Sequence, residues 1–150
     1  MFQAQDPDYE QKIRDSFAKQ GAMELVNGRI ASIEPGQVVL EMPMDRMVTQ
    51  QHGFVHAGII TTMLDSAAGY AAFSLMPADA AVLTIEFKTN LMAPAKGELF
   101  RFTGRVIKPG RTITFCEASA IAIERGKPER QITTMTATMM TVLGREDVKN

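Results

Sequence analysis

Two hydrophobic periods divide the chain. Between Asp8 and Lys19, apolar Tyr9, Ile13 and Phe17 recur every fourth residue among charged neighbours, the spacing of a short surface helix. Gly21 follows where a helix stop is expected. Residues 25–33, which include the pair Asn27-Gly28, and residues 37–42 predict two short strands on either side of the turn signal Glu34-Pro35-Gly36, and Pro43 closes the second. Residues 57–75 are rich in Ala and apolar side chains and end before Pro77, so they predict one helix. A helix that is apolar nearly all round is buried on most sides.

Beyond that helix the period becomes two. Leu83, Ile85, Phe87 and Leu91 alternate with Thr84, Glu86, Lys88 and Asn90, the pattern of a half-buried strand. Residues 97–108 predict a second, with Phe100, Phe102 and Val106 on one face. The turn Lys108-Pro109-Gly110-Arg111 leads to strands over 112–124 and 129–142, the last rich in β-branched Thr. The order is helix, two strands, a long buried helix, then four strands. An α+β fold accounts for it, with an antiparallel sheet wrapped around one apolar helix. A doubly wound parallel sheet does not, because no helices separate the last four strands.

Composition narrows the class. A chain of 150 residues, 45% hydrophobic and 22% charged, reads as one globular domain over 1–150, with 1–22 as an N-terminal helical extension. A formal net charge of -1 argues against a nucleic-acid partner, which calls for a basic excess. The single cysteine, Cys116, allows no intrachain disulfide and favours a reduced, cytoplasmic setting. It alternates within an apolar strand and reads as an inert core thiol. No Cys/His cluster has zinc-ligand spacing, so no metal is expected. The N-terminus carries acids early and lacks the apolar stretch of a signal peptide, and no segment is apolar enough to span a membrane.

Candidate chemistry concentrates in residues 47–78. Asp65 is the only acid there, Lys and Arg are absent, and both histidines, His52 and His56, lie inside it. The run Gln50-Gln51-His52-Gly53-Phe54-Val55-His56-Ala57-Gly58, followed by Asp65 on the helix, resembles the hotdog thioesterases of the phenylacetic-acid-degradation (PaaI-like) type. Their motif is Asn, two residues, Gly, two residues, His-Gly-Gly, then Asp eight residues after the first of those glycines. The strand from Leu83 to Ala95 and the turn Gly110-Arg111-Thr112 are similar to that family's as well.

The resemblance implies a hotdog fold, a homodimer or dimer of dimers, acyl-CoA as substrate, and no metal or redox cofactor. Asp65 matches the family's catalytic carboxylate, acting as general base or nucleophile. Thr84 matches a Ser or Thr that helps hold the attacking water. Ala57 stands in place of the glycine whose N–H polarises the thioester carbonyl, and Ala keeps that N–H where φ is negative. Gln50 stands in place of Asn; it keeps the amide but moves it by a methylene.

The chemistry can also be argued from the residues. Hydrolysis places negative charge on the carbonyl oxygen, which unpaired N–H groups of Ala57 or Gly58 at a helix start would stabilise. A carboxylate must activate water or attack directly. Burial would raise the pKa of Asp65 and nearby donors would lower it. Eight residues of helix span about 12 Å, too far for Ala57 and Asp65 of one chain to meet on one carbonyl. A site shared across a two-fold axis, which the resemblance also implies, is therefore expected.

His56, just before the helix, reads as a loop-fixing residue ahead of a proton carrier. Gln50 stands open between amide catalysis and loop hydrogen bonding. Arg105, Lys108 and Arg111 cluster near the Pro-Gly turn, either as a solvated strand end or as partners for CoA phosphates. Pocket depth depends on Met63, Tyr70, Phe73 and Met92. The rival readings are an enoyl-thioester hydratase or dehydratase that uses His56 with Asp65, and a non-catalytic acyl-CoA-binding module.

Overall fold

The apolar middle of the sequence forms the helix its composition predicts, Ala57–Phe73, and the rest of the chain is arranged to cover it. The computed structural model describes residues 2–148. In chain order the elements are α1 (Tyr9–Ala18), α2 (Gly21–Leu25), β1 (Arg29–Glu34), β2 (Gln37–Pro43), α3 (Ala57–Phe73), β3 (Ala81–Leu91), β4 (Leu99–Lys108), β5 (Ile113–Ile123) and β6 (Arg130–Val142), with a single 3-10 turn at Arg46–Val48. The six strands make one sheet in the order β1-β2-β4-β5-β6-β3. Every pairing in it is antiparallel. This is the hotdog arrangement, a sheet curled around one long helix.

Strand alternation supplies the inner wall. In β4, Phe100, Phe102 and Val106 are buried on one face while Arg101 and Arg105 point the other way. In β5 and β6, Cys116, Ala118, Ala120, Met135, Ala137 and Met139 continue that wall. The facing side of α3 is Ala67, Ala68, Ala71 and Ala72, all essentially inaccessible. Small side chains let helix and sheet approach closely. The closest approach is at Gly104, where an added Cβ would stand 2.2 Å from the Ala67 carbonyl oxygen. Only glycine fits there.

The N-terminal extension docks on the far end of α3. Lys12 Nζ donates to the carbonyls of Met76 and Pro77 at 3.1 and 3.0 Å. It pairs with Asp6 at 3.0 Å and lies 4.5 Å from the centre of the Phe73 ring. A cation on the carbonyls just beyond a helix also suits the helix dipole.

Three sequence expectations are revised. Gly21 does not end α1, which stops at Ala18; it opens the short helix α2. Asn27-Gly28 lies before β1 rather than inside it, and Asn27 adopts φ 55° in the connecting turn. The largest revision concerns β3. It pairs only with β6 and is a sheet edge, and its apolar residues stay open: Leu83 39%, Ile85 51%, Phe87 44% and Leu91 59% exposed. A bulge between Thr84 and Glu86 also breaks the alternation, so Thr84 pairs with Met139 and Phe87 with Ala137. Met139 and Ala137 are both buried on the helix side. Thr84 therefore faces α3 together with Phe87, although strict alternation places the two on opposite faces.

Candidate active site

The loop before α3 is tightly folded. Thr49 and Val55 form an isolated antiparallel bridge, Gln50 N–H donates to the Phe54 carbonyl at 2.8 Å, and Gly53 turns the chain at φ 81°. Val55 N–H is tied to the Ala95 carbonyl at 3.0 Å and His56 N–H to the Val48 carbonyl at 2.9 Å, so the entry to the helix is fixed from both sides.

His56 is the N-cap of α3, at φ -61° and ψ 137°. Its Nδ1 accepts the Gly58 N–H at 2.9 Å. That bond uses one of the unpaired donors of the first turn. The N–H of Ala57 has no hydrogen-bond partner among the described residues. Between the two donors that the sequence offers for an oxyanion, the cap therefore occupies Gly58 and leaves Ala57 free. Ala57 is the first helical residue and has no positive φ, so its Cβ costs nothing there.

Ala57 opens on a cleft of about 560 Å³ between the loop and the end of β3, lined by Gln50, Phe54 and His56 on one side and by Leu91, Met92 and Pro94 on the other. Gln50 Oε1 accepts the His52 N–H, so its carbonyl is engaged in the loop while its N–H₂ group carries no bond among the described residues.

Asp65 lies two turns further along α3 and opens on a different cleft, of about 290 Å³. It is half-buried. Thr84 Oγ1 donates to its Oδ1 at 2.8 Å, a contact that the β3 bulge makes possible. Loss of water raises the pKa of the carboxyl above the ordinary value, and the Thr84 hydrogen bond pulls it partly back.

The expected residues thus fall into three places. Gln50, His56 and Ala57 share one cleft, and Asp65 and Thr84 share another. Arg105, Lys108 and Arg111 join neither. Arg105 is on the outer face of β4, where its Nε donates to Gln37 at 2.7 Å, and Lys108 and Arg111 are exposed at the β4–β5 turn. Of the residues expected to set pocket depth, Met63 and Phe73 are fully buried core, Met92 is 57% exposed at the Ala57 cleft, and Tyr70 lines the Asp65 cleft. Ser16, Gln20, Ser66 and Gly69, which also line the Asp65 cleft, were not singled out from the sequence. For Gly69 a signal existed: it is a helix-interior glycine four residues after Asp65. For Ser16 and Gln20 none did, because only the docking of the N-terminal extension brings them there. Cys116 is a buried thiol, its pKa pushed up to about 12 by desolvation, and has no part in either cleft. Among the described residues no helix is long and apolar enough to cross a membrane.

Comparison with known proteins identifies the family to which the fold belongs. The sequence model of the Thioesterase superfamily matches residues 52–129, just over half of the chain. A relative from Saccharolobus solfataricus is 32% identical over 89 residues, covering 59% of this chain and 63% of its own length, so the chain spans just under two thirds of that relative. The human protein acyl-coenzyme A thioesterase 13 is 29% identical over 115 residues, covering 75% of this chain and 81% of that protein. Among solved structures, a thioesterase family protein from Silicibacter pomeroyi is 58% identical, with a TM-score of 0.89 over 91% of this chain and 99% of that one. The PaaI protein of the E. coli phenylacetic acid degradation operon shares the fold at 14% identity, with a TM-score of 0.80 over 91% and 95% of the two chains. The chain belongs to the thioesterase superfamily, a family of thioester hydrolases, and carries the hotdog fold of its PaaI-like members.

Proposed function

We propose that the protein is an acyl-CoA thioesterase whose working site forms between two copies, with Asp65 of one chain beside Ala57 of the other. The observation that carries this reading is the division of the site along α3. A free N–H donor stands at its start and a carboxylate two turns on, each in its own cleft. A rise of about 12 Å separates them along the helix, whereas a single carbonyl needs both within hydrogen-bond reach. Two α3 helices packed antiparallel about a two-fold axis set the donor of each against the acceptor of the other. The open apolar edge of β3 supplies surface for such an association to bury.

In this site Asp65 acts as general base. Thr84 holds Oδ1, and Oδ2 takes a proton from water as the water oxygen bonds to the thioester carbon. The charge that develops on the carbonyl oxygen faces the Ala57 N–H of the partner subunit and the positive end of its helix. The C–S bond then breaks, and the proton on Asp65 passes to the departing CoA sulfur. The free N–H₂ of Gln50 lies in the same cleft as Ala57 and is placed to steady that oxygen or the water. Lys108 and Arg111 are assigned to the CoA phosphates with Arg105. Their turn is at the sheet end nearest Thr84, whose partner Met139 pairs in turn with Thr114. A hydratase working through His56 fits less well, because its Nδ1 is committed to the helix cap.

The test is thiol release from a panel of short, long and aromatic acyl-CoAs by wild type and Asp65→Asn. Loss of a general base predicts a fall in kcat of about 10²–10⁴-fold. A folded, self-associated wild type that releases no thiol from any member would overturn the proposal.

A further inference from the structure

Two buried glycines in this fold have opposite reasons to lack a side chain. Gly104 is forced, since the Ala67 backbone occupies the place of its Cβ. Gly69 is not. It lies inside α3, where glycine costs about 1 kcal/mol relative to alanine, and it is buried, yet a Cβ added there would meet nothing within 4 Å. No packing demand within the chain explains it. The space it leaves belongs to the Asp65 cleft: Gly69 is four residues after Asp65, hence one turn along on the same helix face, and it lines that cleft.

The cleft is also closed at its far end. Gln20 Nε2 donates to Tyr70 Oη at 2.6 Å, and Ser16 Oγ lies 3.3 Å from the same oxygen. Tyr70 is 3% exposed and its ring packs against Phe17 with centroids 5.8 Å apart. The N-terminal extension thus builds a fixed wall one turn and a half beyond Asp65. Within one chain this cleft holds about 290 Å³, at the small end of ligand cavities, which run to about 300–1,000 Å³.

Resting on the thioesterase reading above, we infer that Gly69 is the specificity-determining residue of the acyl subsite. The acyl group runs from Asp65 along α3, crosses the bare Cα of Gly69 and stops against Tyr70, Gln20 and Ser16. The wall limits the reach of the acyl group along this chain, which favours compact acyl thioesters, short-chain or single-ring, over long-chain ones. CoA leaves by the open side.

The experiment compares wild type, Gly69→Ala and Gln20→Ala across a graded series of acyl-CoAs, with folding followed by circular dichroism. The ratio of kcat/KM for the bulkiest accepted acyl group to that for the smallest is expected to fall about tenfold or more in Gly69→Ala, the effect of about one methyl group in a close-fitting pocket. The same ratio is expected to rise in Gln20→Ala, which opens the wall. A folded Gly69→Ala with the wild-type ratio overturns the inference. Should wild type hydrolyse no thioester, the activity reading falls, but non-hydrolysable thioether analogues of the same series still decide the subsite. A tenfold loss of affinity confined to the bulkier analogues in Gly69→Ala upholds it; equal affinity for all of them, or an equal loss for all, overturns it.

Discussion

The first turn of α3 and the turn that carries Asp65 are built in opposite ways. In the proposed site, the chemistry of the first turn is in the backbone. The Ala57 N–H is free because it begins a helix, and the N-cap side chain, His56, satisfies the neighbouring donor. At Asp65 the chemistry is in the side chain, and the fold works against its charge: desolvation raises the carboxyl pKa and a single threonine offsets part of the shift. On the proposed reading the donor half should therefore tolerate changes of sequence that keep the helix start. The acceptor half depends on one residue type at one position.

That contrast is tested most severely by removing the donor without removing the helix. Proline lacks the N–H, is favoured at the first helical position, and requires an extended residue before it. His56, at φ -61° and ψ 137°, meets that requirement. Ala57→Pro should fold normally and lose about 10²–10³-fold in kcat, the usual cost of one oxyanion donor. Mixing the inactive Ala57→Pro and Asp65→Asn proteins then tests the shared site. Random exchange between two-fold dimers makes about half of them mixed, each with one intact site, so about a quarter of wild-type activity should return. No recovery after proven subunit exchange would place both halves within one chain.

Thr84→Val tests the acceptor half with a smaller effect. Thr84 lowers the pKa of Asp65, so its loss should raise that pKa further and move the acidic limb of the pH–rate profile to higher pH. The stability change has a definite sign. A carboxyl whose folded pKa exceeds its unfolded value contributes stability fully below the unfolded pKa and loses that contribution as pH rises through the folded one. Thr84→Val should therefore lose more stability at neutral than at acid pH, measured by denaturant melts at both. A profile and stability that match wild type would mean that the Thr84–Asp65 bond does not tune the carboxyl.

Much of the architecture was legible because each local pattern has one physical outcome. Residues 57–75, apolar nearly all round, predict a buried helix, and β4, β5 and β6 follow from alternation. β3 was legible as a strand but not as an open edge. Leu83, Ile85 and Phe87 alternate in the same way whether their cover is this chain or another. The bulge between Thr84 and Glu86 leaves no mark in a sequence that keeps alternating through it, so the approach of Thr84 to Asp65 was reached by resemblance and not by period. The wall of Ser16, Gln20 and Tyr70 joins segments some fifty residues apart through side-chain contacts that no local pattern encodes.

His56→Ala is the mildest probe and bears on what that histidine is for. As a cap its loss frees the Gly58 N–H and costs about 0.5–2 kcal/mol of stability. The Ala57 N–H survives, still at a helix start, so the rate should fall only a few-fold, far less than in Asp65→Asn. A histidine that carried a proton in the reaction would behave differently, losing rate on the scale of Asp65→Asn with little change in melting temperature. The two quantities, measured on one preparation, separate a residue that organises the donor half from one that takes part in the chemistry. The Nδ1 bond to Gly58 predicts the former.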